Sequence, residues 1–489
     1  MYLGIDIGTS AVKAVLVGED EQLFAEAEVP LTVSRPHPLW AEQNPQDWWR
    51  AVETALGGLR LAAPGAFAAV RGLGLSGQMH GAVLLDAAGE LLRPAILWND
   101  GRAHAECAEL ARRLPGLGQV AGVPAMPGFT APKLLWLAEN EPETFRKVAM
   151  VLLPKDYVRF RLTGEAVTDM SDAAGTLWLD EAHRDWSDEI LAATGLTRAQ
   201  VPRLVEGTAV SGALRAEAAE ALGLPPGLPV AGGAGDAAAG GIGIGAVEDG
   251  DAFLSLGTSG QYFVTTDRFR PFPEAYVHAF SHALPGRWFQ MAALLNGASA
   301  LAWTARILGA DDIAALLART EAAFSGRPAR PLFLPYLTGE RTPHNDPHAR
   351  GVFFGLSPDV TQEEMVQAVL EGVAFSFAEA QECLARAGTH AASVAAIGGG
   401  SRSHFWMRLM ASALERPVVL YSGGAKGPAF GAARLARIAT TGEGPAAVCR
   451  TPPVADIIEP DRNLAEAYRP TFARFKRLYR ALRGVFQAD

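Results

Sequence analysis

Cysteine is scarce in this chain. Its three residues, Cys107, Cys383 and Cys449, stand far apart and form no Cys-x-x-Cys pair. That excludes a disulfide framework and a cysteine-built zinc centre, and it fits a reducing compartment. Positive charge is also short: 43 Lys and Arg stand against 53 Asp and Glu, a net charge of −10. A general nucleic-acid binder is therefore not expected. Phosphate ligands stay open, because backbone amides and a few local cations can hold them. No apolar run is long enough to span a membrane, and Met1 to Asp6 carry no basic region of a signal peptide. A cytoplasmic protein is expected. The P-loop pattern GxxxxGK[ST] is absent, which excludes that class of nucleotide enzyme.

At 489 residues, with 49% hydrophobic and 20% charged residues, the chain is a globular protein too long for one ordinary core. Near its middle, Gly232-Gly233-Ala234-Gly235-Asp236-Ala237-Ala238-Ala239 sets one carboxylate among small residues, with no Lys or Arg beside it. Such a carboxylate suits a general base; a turn whose Asp caps the next helix explains the same residues.

Residues 3–7 and 11–17 read as two strands joined by Gly8-Thr9-Ser10, with Lys13 just beyond. Asn44-Pro45 opens an amphipathic helix to about Leu61, and the tryptophans before and within it read as packing. Gly72-Leu73-Gly74-Leu75-Ser76-Gly77 matches GxGxxG, but its glycines alternate with leucines and another strand-like run follows. It is therefore a buried strand rather than a dinucleotide fingerprint, with a polar tip at Ser76 to His80. His80 is either a structural hydrogen-bonding residue or a ligand contact. Trp98-Asn99-Asp100-Gly101-Arg102 is a second polar cluster with an aromatic face, of the kind that builds sugar sites, or a turn before a helix from about Ala103. Residues 163–226 read as a lobe or insertion of short helices and loops.

The pattern strand, Gly-Thr-Ser, strand then recurs. Ile5-Asp6-Ile7-Gly8-Thr9-Ser10 is matched by Leu254-Ser255-Leu256-Gly257-Thr258-Ser259, which predicts two related halves, each offering a turn to phosphate. Only the first copy carries a carboxylate, Asp6, as a magnesium–phosphate site requires. Phe333 to Pro347 form a polar, proline-punctuated loop. Thr361 to Glu364 form a capping box for a core helix that ends at Gly388. A strand at 394–397 runs into Gly398-Gly399-Gly400-Ser401-Arg402-Ser403 and a helix at 404–414, an arrangement that admits a flat ring or a phosphate against bare backbone.

Together, Asp6 to Ser10, Gln78-Met79-His80-Gly81, Gly235-Asp236, Leu256 to Ser259 and Gly398 to Gly400 resemble the FGGY carbohydrate kinases, relatives of the actin-like ATPases. Phe129 to Trp136 and Gly351 to Glu371 look like further signatures of that family, and the likeness covers essentially the whole chain. Met79-His80, Trp98 to Arg102 and Gly339 to Pro347 are most similar to its D-xylulose kinase subgroup. Ala237 departs from that subgroup, whose members often carry Asn or Gln there.

The resemblance implies an α/β protein of two actin-like (ribonuclease H-like) domains, residues 1–245 and 246–489, around a central cleft for ATP and sugar. It implies Asp236 as general base and Asp6 as the Mg²⁺ residue, acting through water. The sugar would meet Met79, His80, Trp98 and Asp100 beside Asp236. The nucleotide would meet Thr9, Ser10, Lys13, Gly257, Thr258, Gly399, Gly400 and Ser403. The cofactors are then ATP and Mg²⁺, the partner a small sugar, and a homodimer is a further implication. A sibling kinase for ribulose, fuculose or glycerol, a sugar sensor without catalysis, and an actin-fold chaperone or filament subunit are the alternatives.

Overall fold

A computed structural model describes residues 1–422 and 427–487. Two seven-stranded sheets dominate it, and their orders correspond. In the first sheet, Leu23–Pro30, Ala11–Val17 and Tyr2–Ile7 form an antiparallel meander; Gly72–Gly77 and then Pro229–Ala231 continue it in parallel, and Val210–Ala213 closes the edge antiparallel. In the second, Trp288–Leu294, Gly260–Thr266 and Ala252–Leu256 are antiparallel; Val394–Ile397 and Val418–Tyr421 are parallel, and Val454–Ile458 closes antiparallel. His278–Ser281 adds one more strand on the far edge. The repeated Gly-Thr-Ser turns thus mark one architecture used twice.

The strands Tyr2–Ile7 and Gly72–Gly77 are buried at every position, which is why their sequences lack a polar alternation. One expectation is corrected. Residues 163–226 are not a wholly separate lobe, because Val210–Ala213 is an edge strand of the first sheet. The core helix begins at its capping box and runs Gln362–Arg386. The early helix runs Pro45–Ala62, with Asn44 capping Gln46 N.

Two helices are exchanged between the halves. Pro428–Thr441, from the second half, lies on the first sheet. It comes so close that a Cβ on Gly4 would meet Ala429 O at 1.9 Å and one on Gly74 would meet Ala432 O at 1.9 Å. Asp236–Ile244, from the first half, reaches the second sheet, where Gly241 faces the Phe263 ring. The two helices cross at Gly431, whose Cβ would meet Ala239 O at 1.9 Å. Between the sheets they bring the ends of both sets of strands to one cleft.

Candidate active site

The first sheet sets the carboxylates. Asp6 stands opposite Ser76 in parallel register, and Ala234 stands opposite Ser76 on its other side. Asp6 and the strand leading to Asp236 are therefore separated by one strand, about 10 Å between their backbones. Asp236 opens the helix Asp236–Ile244, and its Oδ1 accepts the amide of Ala237 at 2.8 Å. Burial, reinforced by the charge of Asp6, pushes Asp236 up to about 7. Burial likewise pushes Asp6 up to about 6, against the effects of Ser76 and Lys13. Among the described residues, Asp6 Oδ1 and Ser76 Oγ are buried without a hydrogen-bond partner. Ala237 is buried too, so it serves Asp236 through its backbone.

The first Gly-Thr-Ser turn is locked from behind. Thr9 Oγ1 donates to Gln78 Oε1 (2.9 Å), Gln43 Nε2 donates to Thr9 O (2.8 Å), and Trp48 Nε1 donates to Gln43 Oε1 (3.0 Å). Trp98 Nε1 donates to Thr9 Oγ1 at 2.9 Å, which joins the second polar cluster to this turn. Ser10 is exposed at its tip. Lys13 lies cross-strand from Asp6 and is paired with Glu28 at 3.3 Å. The second turn is braced in the same way: the amides of Gly297 and Ala298 donate to Thr258 O and Gly257 O.

Met79 packs beside Gly235, the residue before Asp236, since a Cβ on Gly235 would meet its Cγ at 2.9 Å. His80 adopts a left-handed φ of 69°. Its Nδ1 lies 2.7 Å from Gly175 O, and its ring packs on Phe129 at 4.3 Å. Burial holds it well below the usual histidine range, so it is a neutral imidazole. Lys133 Nζ donates to His80 O at 2.8 Å and fixes this turn.

Asp100 is occupied differently from what its motif suggested. Its Oδ1 accepts from Arg102 N and Nε, and its Oδ2 accepts from Ala41 N and Arg102 Nη2. Both oxygens are taken by the protein, and Asp100 orients the loop that carries Trp98. Gly398 and Gly399 line a cleft of about 460 Å³ with Ile244, Arg402 and Tyr421; Gly400, expected there too, is instead buried against Leu256, whose Cγ a Cβ on it would meet at 2.5 Å. Gly398 has φ +90° and packs on Leu256 O, which lets bare backbone face that cleft. Ser403 caps the helix His404–Leu414 by accepting from Trp406 N.

The family models for the FGGY family of carbohydrate kinases match here, the N-terminal domain over residues 1–243 and the C-terminal domain over 252–440. The chain belongs to the FGGY carbohydrate kinases. As a member it is an ATP-dependent sugar kinase of the two-domain actin-like, ribonuclease H-like α/β fold. It is 48% identical to the xylulose kinase of Escherichia coli (strain K12), over 99% of both chains. A solved "xyloylose kinase" from Brucella ovis is 49% identical, with a TM-score of 0.96 over 99% of each chain. A gluconate kinase from Lactobacillus acidophilus is 27% identical, with a TM-score of 0.93 over 98% of this chain and 97% of that one. Within the family, one FGGY backbone thus serves different acceptors, and side chains at the sugar end must choose between them.

Sequence reasoning missed what lies behind Asp236 in this FGGY kinase. Lys155 Nζ lies 2.5 Å from Asp156, 3.0 Å from Asp169 and 3.3 Å from Asp172, all fully buried. Ser171 Oγ donates to Asp169 Oδ2 (2.5 Å) and accepts from Gly235 N (3.1 Å). Arg159 donates to the carbonyls of Ala231 and Gly232. The available signal was charge within apolar stretches, Lys155-Asp156 and Asp169 with Asp172. Their role shows only when the chain folds back beneath Gly235.

Proposed function

We propose that the protein transfers the γ-phosphoryl group of ATP to the terminal hydroxyl of D-xylulose, giving D-xylulose 5-phosphate and ADP. The observation that carries the chemistry is the pair Asp6 and Asp236, flanking one strand, both held above the ordinary carboxylate range. The substrate rests on the full-length likeness to chains named xylulose kinase.

In this reading Asp236 accepts the proton of the sugar hydroxyl as that oxygen attacks phosphorus in line. A base near pKa 7 is neutral enough to be left unpaired in a cleft and basic enough to take the proton at physiological pH. Met79 and neutral His80 hold the sugar, with Trp98 as a flat wall tied to Thr9. Thr9, Ser10 and Thr258 face the phosphates, the amides of Gly8 and Gly257 being bonded within their turns to Ala11 O and Ser259 O, and Gly398 and Gly399 border the adenosine. The 1–245 and 246–489 halves act as lobes that close and exclude water as a competing acceptor.

The donor set fits Mg²⁺. Among the described residues no cluster of three His, Cys, Asp or Glu could hold a metal, and Asp6 Oδ1 is a buried oxygen without a partner. Mg²⁺ is commonly held by one or two carboxylates plus substrate phosphates. When bound, it would neutralise charge on the phosphates, with Asp6 as its protein residue. The need for ATP and the three unpaired cysteines support a cytoplasmic setting.

The test is ADP release with Mg·ATP across D-xylulose, D-ribulose, L-ribulose, L-xylulose, L-fuculose, gluconate and glycerol. A kcat/KM for D-xylulose well above the others is expected; a different preferred acceptor overturns the substrate assignment.

A further inference from the structure

The loop carrying Glu340-Arg341-Thr342 belongs to the second half and is bonded to Tyr276, which precedes the strand of His278. It is tied down on both sides of Arg341. Glu340 Oε1 accepts from Leu295 N at 2.7 Å and from Arg341 N at 2.8 Å, so this carboxylate is bound to backbone amides. Thr342 N donates to Ala293 O at 3.0 Å, and Thr342 Oγ1 donates to Tyr276 O at 3.1 Å. Two residues beyond Tyr276, His278 stacks on Phe129 (ring centroids 5.8 Å apart), and Phe129 packs on His80 at 4.3 Å. These links carry Arg341 from the second sheet to the histidine of the first half.

The Arg341 side chain is half-buried, and among the described residues no acceptor bonds its guanidinium and no carboxylate pairs with it. A cation withdrawn from water without a partner is costly, and a ligand can offset that cost by supplying the acceptors. Its charge is felt at both His80 and His278, which it helps hold below the usual histidine range after burial. The charge acting on Asp236 comes from Asp6. Together with the contacts Thr342–Tyr276, His278–Phe129 and Phe129–His80, this sets Arg341 toward the His80 end of the site rather than the phosphoryl-transfer end.

We infer that Arg341 is a substrate-binding residue that grips the ketose at the end remote from the reacting hydroxyl, donating to its 2-carbonyl and 1-hydroxyl oxygens. A planar fork of N–H donors matches two adjacent oxygens, whereas a polyol lacking the carbonyl offers a poorer match. The same loop is bonded to the second phosphate turn: Thr338 donates to Asn296 Oδ1, and the neighbouring Gly297 amide donates to Thr258 O. Filling the sugar end from this loop thus draws the second half onto the first. The inference rests on the D-xylulose reading and names the groups that read the sugar.

The test compares D-xylulose with 1-deoxy-D-xylulose in wild type, Arg341→Gln and Arg341→Lys, with ADP binding as the check on folding. Arg341→Gln is expected to lower kcat/KM for D-xylulose about 10- to 100-fold. The loss should fall in the KM for sugar, with the KM for ATP unchanged and a several-fold smaller penalty on the 1-deoxy sugar. Arg341→Lys keeps the charge but not the fork, so it should show the same ordering with a smaller loss; it carries the comparison if the Gln variant fails to fold. Equal penalties on both ketoses, no penalty on either, or a change confined to the KM for ATP overturns the inference. Wild-type enzyme that ignores D-xylulose but turns over another acceptor overturns the substrate reading instead, and the inference with it.

Discussion

Asp6 lies in, and Asp236 directly follows, the two strands that flank Gly72–Gly77; burial holds both above the ordinary carboxylate range, and the charge of Asp6 adds to the shift of Asp236. Two acids held this way cannot be mere solubilising charge. One has a buried oxygen without a partner; the other begins a helix among alanines and glycines, where a hydroxyl can approach it.

Asp236→Asn keeps the shape of the site and removes the base. A positioned general base contributes roughly 10²–10⁴ in rate, so kcat should fall at least about 100-fold while the affinity for ADP stays within a factor of about two. Single-turnover phosphorylation and ADP titration measure the two quantities. A variant with wild-type kcat would remove Asp236 from the mechanism.

The same pair sets the pH response. The base works only when deprotonated, so kcat/KM should fall on the acid side, below about pH 7, with the apparent values belonging to the coupled pair. For stability the sign runs the other way. A carboxyl whose folded pKa is raised costs stability as pH climbs from its ordinary value through about 7. Asp236→Asn should therefore melt higher than wild type at pH 8, on the order of 2–4 °C, and equal to it near pH 4. A lower melting temperature at pH 8 would contradict the burial argument.

Much of this was legible because local chemistry and global fold agree at particular places. The repeated Gly-Thr-Ser turns foretold the duplicated sheets, and the alternation of glycine with leucine at 72–75 identified a buried strand. The isolation of Asp236 among small residues marked a carboxylate that the fold buries one strand away from Asp6. What was not legible came from contacts distant in sequence. Asp100 looked like a free sugar ligand until Arg102 and Ala41 were seen to saturate it. Val210–Ala213 looked like part of a lobe because an edge strand of four residues has too short a pattern to announce its sheet. The exchanged helices left only their glycines as a trace.

Gly431 tests that exchange. A Cβ there would lie 1.9 Å from Ala239 O and 2.8 Å from Ala239 C, both backbone atoms of the crossing helix. Neither helix can yield by a side-chain rotation, so Gly431→Ala must push apart the elements that join the two halves. Overpacking of a rigid core typically costs about 1–3 kcal/mol, occasionally more. The melting temperature should drop, and the KM values for sugar and ATP should rise together because the cleft is distorted. Gly444→Ala, with nothing within 4 Å of the added methyl among the described residues, is the control and should behave as wild type. An unaffected Gly431→Ala protein would mean that the helices do not cross this closely.

Lys155 holds the foundation under the base. Burial alone would lower its pKa, but Asp156, Asp169 and Asp172 outweigh burial and raise it, so it stays an ammonium among three buried carboxylates. Burial also pushes Asp172 well above the ordinary carboxylate range. Lys155→Met fills similar space and leaves Arg159 as the cluster's remaining cation. Removing one partner of a buried pair costs about 3–5 kcal/mol. The surviving carboxylates can escape part of that cost by taking up protons, so the deficit against wild type should be largest near pH 8 and shrink toward pH 5. Activity should follow, because Asp169 holds Ser171 and Ser171 accepts the amide of Gly235, one residue before the base. Loosening that chain should lower kcat more than it raises either KM. A destabilisation independent of pH would show that the cluster acts through packing rather than charge, and an unchanged kcat in the folded variant would show that the base is held in place without it.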